Sequence, residues 1–220
     1  MANLNIKIPA IDEAFYTPAA AKQNEEKIKN VIQAKYGSMI DNIAKITNIP
    51  VELLTSIVFI ESGGNPLSKS KFAAGLTQMS TAAASDVIVT EKGLGRLEPP
   101  EEVILKKYLG SRWSLIQGVK KNQKSLGKTF ITNEDLFNPE FSLIVSGFLL
   151  GQLIDEFTEQ GKVNLAKVVT LYNGGRYSPA GKKAIKFQGT VKELVAQVPK
   201  ETADYIRKLI GVNSIMHTLV

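Results

Sequence analysis

The sequence has 220 residues, 44% of them apolar, and a net charge of +6, which describes a globular chain with one substantial core. It contains no cysteine and a single histidine, which excludes disulfides and thiolate metal sites and leaves almost no room for a His-based triad or metal centre. The basic balance suits a polyanionic partner, but no nucleic-acid recognition motif accompanies it, so no nucleic acid is expected among its partners.

In chain order, the opening segment MANLNIKIPAIDEAFYTP is interrupted by Lys7, Pro9, Asp12 and Glu13. No apolar run there reaches the roughly 7–15 residues of a signal peptide, and the segment reads as lacking one. Residues 19–47 predict a long helix, with Ile28, Val31, Ile32, Tyr36, Ile40, Ile43 and Ile46 at three-and-four spacing. We read residues 1–45 as an N-terminal extension and 46–213 as the main domain. Asn48-Ile49-Pro50 turns the chain into a second helix, Pro50–Ile60, on which Leu54, Ile57 and Val58 mark one face.

Glu61 occupies the next place on that stripe, and Gly63-Gly64 follows with the freedom that ends a helix. A carboxyl group against apolar walls is expected to titrate above about 4.3 and to suit general-acid chemistry. The stripe leaves a second reading open: an inert Glu facing solvent at a helix end. A small β-hairpin or loop region is expected after Glu61, then a short helix over Thr81–Val89.

From Glu91 to Asn133 the chain is rich in lysine, arginine and glycine. This stretch reads as a basic insertion with one short helix at Glu101–Tyr108. It holds the only tryptophan, Trp113, which can stack on a flat ligand face or anchor packing. Asp135–Pro139 leads into a helix with Phe141, Ile144, Val145, Phe148, Leu149 and Leu153 on its buried side, and Gly147 and Gly151 at spacing for close helix approach. The uncharged run Phe141–Ile154 is shorter than the roughly 18 residues of a membrane span, so none is expected. Leu165, Val168, Val169 and Tyr172 share a face of another helix that ends in Tyr172-Asn173-Gly174-Gly175. Tyr172 reads either as a core tyrosine or as a site residue. Residues 214–220, with His217, read as a solvated tail.

ESGGNP at Glu61–Pro66, Ser70, AAGLTQM at Ala73–Met79, the YNGG run at Tyr172–Gly175 and the P-x-E-T-x-x-Y-I pattern from Pro199 to Ile206 resemble the soluble lytic transglycosylase family, related to goose-type lysozyme. The four blocks fall in the family's order over about residues 47–212. Phe72 stands where the family has the first Gly of G-A-x-G-L, and the stretch from Ser70 to Gln78 is about one residue short. The resemblance implies a mainly α, lysozyme-like helical domain with a substrate cleft. It implies a peptidoglycan lytic transglycosylase in which Glu61 is the single catalytic acid/base and Tyr172 lies beside it. Ser70, Gln78, Met79 and Asn173 are the implied substrate-binding residues.

In the family, the Glu protonates the β-1,4 glycosidic oxygen between N-acetylmuramic acid and N-acetylglucosamine. The product is a 1,6-anhydro end, and no metal or organic cofactor is implied. Glycosidases usually need two carboxylates, and Asp86, Glu91, Glu98 and Asp135 are candidates for a second. The implied partner is the peptidoglycan glycan strand, whose anionic character the basic surface also suits. Two alternatives stand beside this expectation: a muramidase that uses water, and a structural phage tail or baseplate component of the same fold. An enzyme of the wall without an export signal is expected to be virion-associated, with phage tail or baseplate proteins as further partners.

Overall fold

The computed structural model describes residues 11–219. Residues 1–10, on which much of the signal-peptide reading rests, and Val220 lie outside the described residues. The chain is mainly helical, with little sheet. Among the described residues, no helix is long and apolar enough to cross a membrane. Residues 31–149 form one compact unit, and the described residues up to 30 form another with those from 150 onward.

Helix α1, Pro18–Lys27, starts where the Thr17 hydroxyl accepts from the Ala20 N–H at 3.2 Å, satisfying one of the first-turn donors. A π-helical turn, Ile28–Gln33, follows and leads into α2, Ala34–Ile46. The expected long helix is therefore interrupted by a π turn. Next come α3 (Val51–Ser62), α4 (Thr81–Leu94), α5 (Pro99–Leu109), a 3₁₀ turn (Gly110–Arg112), α6 (Trp113–Gln117), α7 (Asn133–Leu136) and α8 (Pro139–Glu156). Strands β1 (Thr158–Glu159) and β2 (Lys162–Val163) then precede α9 (Leu165–Gly174), α10 (Pro179–Lys186), α11 (Val191–Gln197), α12 (Lys200–Ile210) and α13 (Ile215–Leu219).

In the 31–149 unit, polar stitches cross long sequence separations. Thr77 Oγ1 lies 2.9 Å from Ser142 Oγ, and both residues are fully buried. The Ser85 hydroxyl accepts from the backbone N–H groups of Phe130 and Ile131. Gly147 allows the close approach read from its spacing: a Cβ there would lie 2.7 Å from Thr47 Oγ1.

The basic 91–133 stretch is more ordered than an inserted loop. Helix α4 runs past Val89 to Leu94 and carries Gly93 inside it, because a Cβ at that position would lie 2.3 Å from the Gln123 carbonyl oxygen. The Arg112 guanidinium donates to both Asp135 oxygens at 2.6 and 2.8 Å, and to the Phe130 carbonyl. Trp113 is 8% exposed and serves as a packing anchor. Lys106, Lys107, Lys120, Lys121, Lys124 and Lys128 remain exposed.

In the other unit, α9 packs on α10 and α12, and α13 packs on α1 and α12. Glu13 accepts from Arg207 at 2.7 Å, and Ala14 bridges to Val212. Residues 215–219 form a helix with Ile215 and Met216 buried, not a loose tail. His217 is exposed there, its ring nitrogen 2.9 Å from the Ser214 hydroxyl. The β1–β2 hairpin turns at Gln160 (φ 51°) and Gly161 (φ 75°), the sign pattern that two-residue hairpins favour.

Candidate functional site

Helix α3 is buried all round through its middle, since every residue from Leu53 to Val58 is buried. The Leu54–Ile57–Val58 stripe is therefore one part of a wholly enclosed stretch. Glu61 is half-buried because it lies in the last turn, where the helix leaves the core. Gly63 ends the helix in the left-handed region (φ 58°), its N–H donating to the Phe59 carbonyl at 3.0 Å. Ser62 closes the same turn: its hydroxyl donates to the Val58 carbonyl and accepts from the Gly64 N–H.

Gly64 fixes where the chain goes next. It is buried with φ 83°, and a Cβ there would lie 2.6 Å from Ile32 Cδ1 and 3.2 Å from Val31 Cγ1. The Tyr36 hydroxyl donates to its carbonyl at 3.2 Å. The end of the π turn and the start of α2 thus buttress the turn that carries Glu61. In the sequence Ile32 and Tyr36 mark only a helix face. The one local signal for their role is the second glycine of the pair.

From Asn65 to Met79 the chain has isolated bridges, Lys69–Ala74 and Ala74–Met79, where a small hairpin was one expectation. Asn65 Oδ1 accepts from the Leu67 N–H, and the Ser70 hydroxyl accepts from the Ala73 N–H at 3.1 Å. Gln78, held at φ 48°, donates its side-chain amide to the carbonyls of Ser68 (2.9 Å) and Gly75 (3.0 Å). Gly75, at φ 83°, has no room for a side chain, because a Cβ would lie 2.0 Å from the Leu136 carbonyl oxygen. Ser70 and Gln78 therefore shape the loop, and Oε1 is the polar side-chain atom of Gln78 left for a ligand. Met79 is 4% exposed and belongs to the core, with its carbonyl accepting from the Ala74 N–H. Phe72 is 75% exposed and Leu67 67% exposed, giving the loop an apolar outer edge.

Among the candidate partner carboxylates, Asp135 is committed to Arg112. Burial pushes its carboxyl up, but Arg112 and the Thr132 bonds outweigh that and hold it below the ordinary range. Glu98 and Glu101 form the reciprocal cap of α5. Burial, with Glu91 and Glu98 nearby, pushes Glu101 up to about 7. Glu91 is buried and Asp86 exposed. Among the described residues, no group of three or more His, Asp or Glu side chains is arranged to hold a metal ion.

In the other unit, Tyr172 and Asn173 are half-buried in the last turn of α9. Gly175 follows at φ 72° and ψ 160°, and its N–H donates to the Leu171 carbonyl at 2.9 Å. Tyr177, two residues on, is 86% exposed. No protein-family model matches the chain, and no curated protein matches its sequence.

Proposed function

We propose that this chain cuts the glycan strands of bacterial peptidoglycan as a lysozyme-like lytic transglycosylase, with Glu61 as its one acid/base. The observation that carries the reading is a half-buried glutamate at a helix end whose backbone is braced. Glu61 stands at the end of a helix buried through its middle, at a glycine turn braced by Ile32 and Tyr36. A general acid for a polymer must be held in position while staying open to a large substrate.

On this reading Glu61 donates its proton to the glycosidic oxygen as the bond to C1 of N-acetylmuramic acid breaks. The substrate's own N-acetyl oxygen assists at C1. The Glu61 carboxylate then takes the proton of the C6 hydroxyl as that oxygen closes on C1. The product is a 1,6-anhydro ring, and Glu61 regains its proton. This route needs no second carboxylate, which agrees with Asp135 being tied to Arg112 and with Glu98 and Glu101 capping α5. Gln78 Oε1 meets polar groups of the glycan in this scheme. The resemblance gives Tyr172 and Asn173 their roles, and the exposed lysines of 106–128 favour an anionic strand.

Digestion of purified peptidoglycan tests the proposal. Anhydro ends that vanish in Glu61→Gln are the expected result. Reducing ends would make the protein a muramidase, and no product would leave a structural, tail-like role. For its setting we propose a virion-borne enzyme. Mass spectrometry of purified particles tests this, and absence from particles with abundance in the lysate would reject it.

A further inference from the structure

A second site lies wholly within the unit that holds α9. A cavity of about 610 Å³ opens between the β1–β2 hairpin, the first turn of α9 and the segment Phe187–Gly189, a size in the range of small-ligand pockets. Lys167 lines it and is only 9% exposed. Among the described residues, Lys167 makes no ion pair and its ammonium has no hydrogen-bond acceptor. Nζ lies 5.5 Å from the centre of the Phe157 ring, a cation–π contact.

The N-terminal end of α9 reaches the same cavity at Asn164 and Leu165. The Asn164 side chain caps the Lys167 N–H at 3.2 Å. The earlier N–H groups of a helix's first turn have no partner within the helix, and its dipole favours negative charge there. Two further charges line the cavity, Lys162 and Glu159, a cross-strand pair of the hairpin. With Lys167 the lining carries two positive charges and one negative, a balance of one positive charge. Phe157 and Phe187 supply apolar wall.

We propose that this cavity binds a small monocarboxylate with an apolar or amide body, such as an acylated amino acid, its carboxylate on Lys167 at the start of α9. One net positive charge and few donors match a single carboxylate better than a phosphate dianion, which Glu159 would repel. The assignment is independent of any chemistry at Glu61.

The test is a backbone amide NMR titration of the full chain with N-acetylalanine, its neutral analogue N-acetylalaninamide, and inorganic phosphate. N-acetylalanine is expected to give saturable shifts at Leu165–Lys167 and Phe187–Gly189. The neutral amide should bind at least about tenfold more weakly, and Lys167→Met should lose the saturable response. Equal binding of acid and amide, or no saturation at these residues, would overturn the proposal. Phosphate binding as tightly as the carboxylate would overturn the ligand class. If Lys167→Met does not fold, the acid-against-amide comparison on the unaltered protein decides alone.

Discussion

Two helices of this protein end in the same four-residue pattern, a candidate site residue, a polar residue and two glycines, yet the two ends are built differently. At Glu61-Ser62-Gly63-Gly64, the first glycine takes the left-handed cap and the second is jammed against Ile32. At Tyr172-Asn173-Gly174-Gly175, the first glycine still belongs to the helix. The second takes φ 72° with ψ 160°, and a Cβ there would meet nothing within 4 Å. The Glu61 end is thus held by packing. The Tyr172 end leaves open space at its second glycine and is braced one step further on, where the Gly175 carbonyl accepts from the Ser178 hydroxyl at 3.0 Å and a Cβ at Gly181 would lie 2.1 Å from it. A glycine pair in a sequence announces that a helix stops, but not what the stop is braced against.

The largest effect expected concerns Glu61 itself. Glu61→Gln should lower peptidoglycan cleavage by roughly 100- to 10,000-fold, the usual worth of a general acid, while circular dichroism stays unchanged. Cleavage near the unaltered rate would move the acid elsewhere. At the other helix end, Tyr172→Phe keeps the ring and removes one hydroxyl. Turnover is expected to fall roughly 10- to 1000-fold, about 1.4–4 kcal/mol of barrier. An unchanged rate on glycan strands would return Tyr172 to a purely structural part.

The glycines separate packing from backbone. Gly64→Ala adds a methyl group against a fully buried Ile32 at positive φ, and should cost about 2–4 kcal/mol by chemical denaturation. Gly175→Ala meets no neighbour and is disfavoured only by its φ and ψ, so about 1–3 kcal/mol is expected. Gly63→Ala, left-handed and open, should cost about 1–2 kcal/mol. Equal losses at Gly63 and Gly64 would show that Ile32 moves aside and does not brace the turn.

The smallest effect separates Glu61 from the buried Glu101, whose folded pKa is pushed up to about 7. A raised carboxyl pKa means the folded state binds the proton more tightly than the unfolded chain does. That stabilisation is complete below the unfolded value near 4.5 and is lost as pH rises through about 7. Melting temperature should therefore slope downward across that window. Glu101→Gln should flatten the slope, by on the order of 1–2 kcal/mol, and leave the pH profile of cleavage in place. A cleavage profile that moves with Glu101→Gln would mean that the activity limb reports unfolding and not the site carboxyl.

Local patterns decided much of this protein. Three-and-four spacing marked the helices. The glycine pairs marked where α3 and α9 stop, and with them the helix-end positions of Glu61 and Tyr172, because turn chemistry acts between neighbours in the chain. Gly147 also stands where a neighbour comes close, the Thr47 side chain. Burial was decided elsewhere. Helix α3 is buried on every side from Leu53 to Val58, with α2 packed against it, so its stripe described only part of its surroundings. Ser70 and Gln78 also make backbone bonds within their own loop, and Met79 lies in the core. The basic stretch after α4 is tied down by an Arg112–Asp135 pair across 23 positions, which no local pattern announces. Lys167 was visible as a charge inside the apolar run LAKVVTL, but only folding brought the hairpin and Phe187 around it. Periodicity and turn residues encode where the chain bends and which residues stand at the bends. What each bend rests against depends on contacts far apart in sequence, and only the folded chain brings those contacts together.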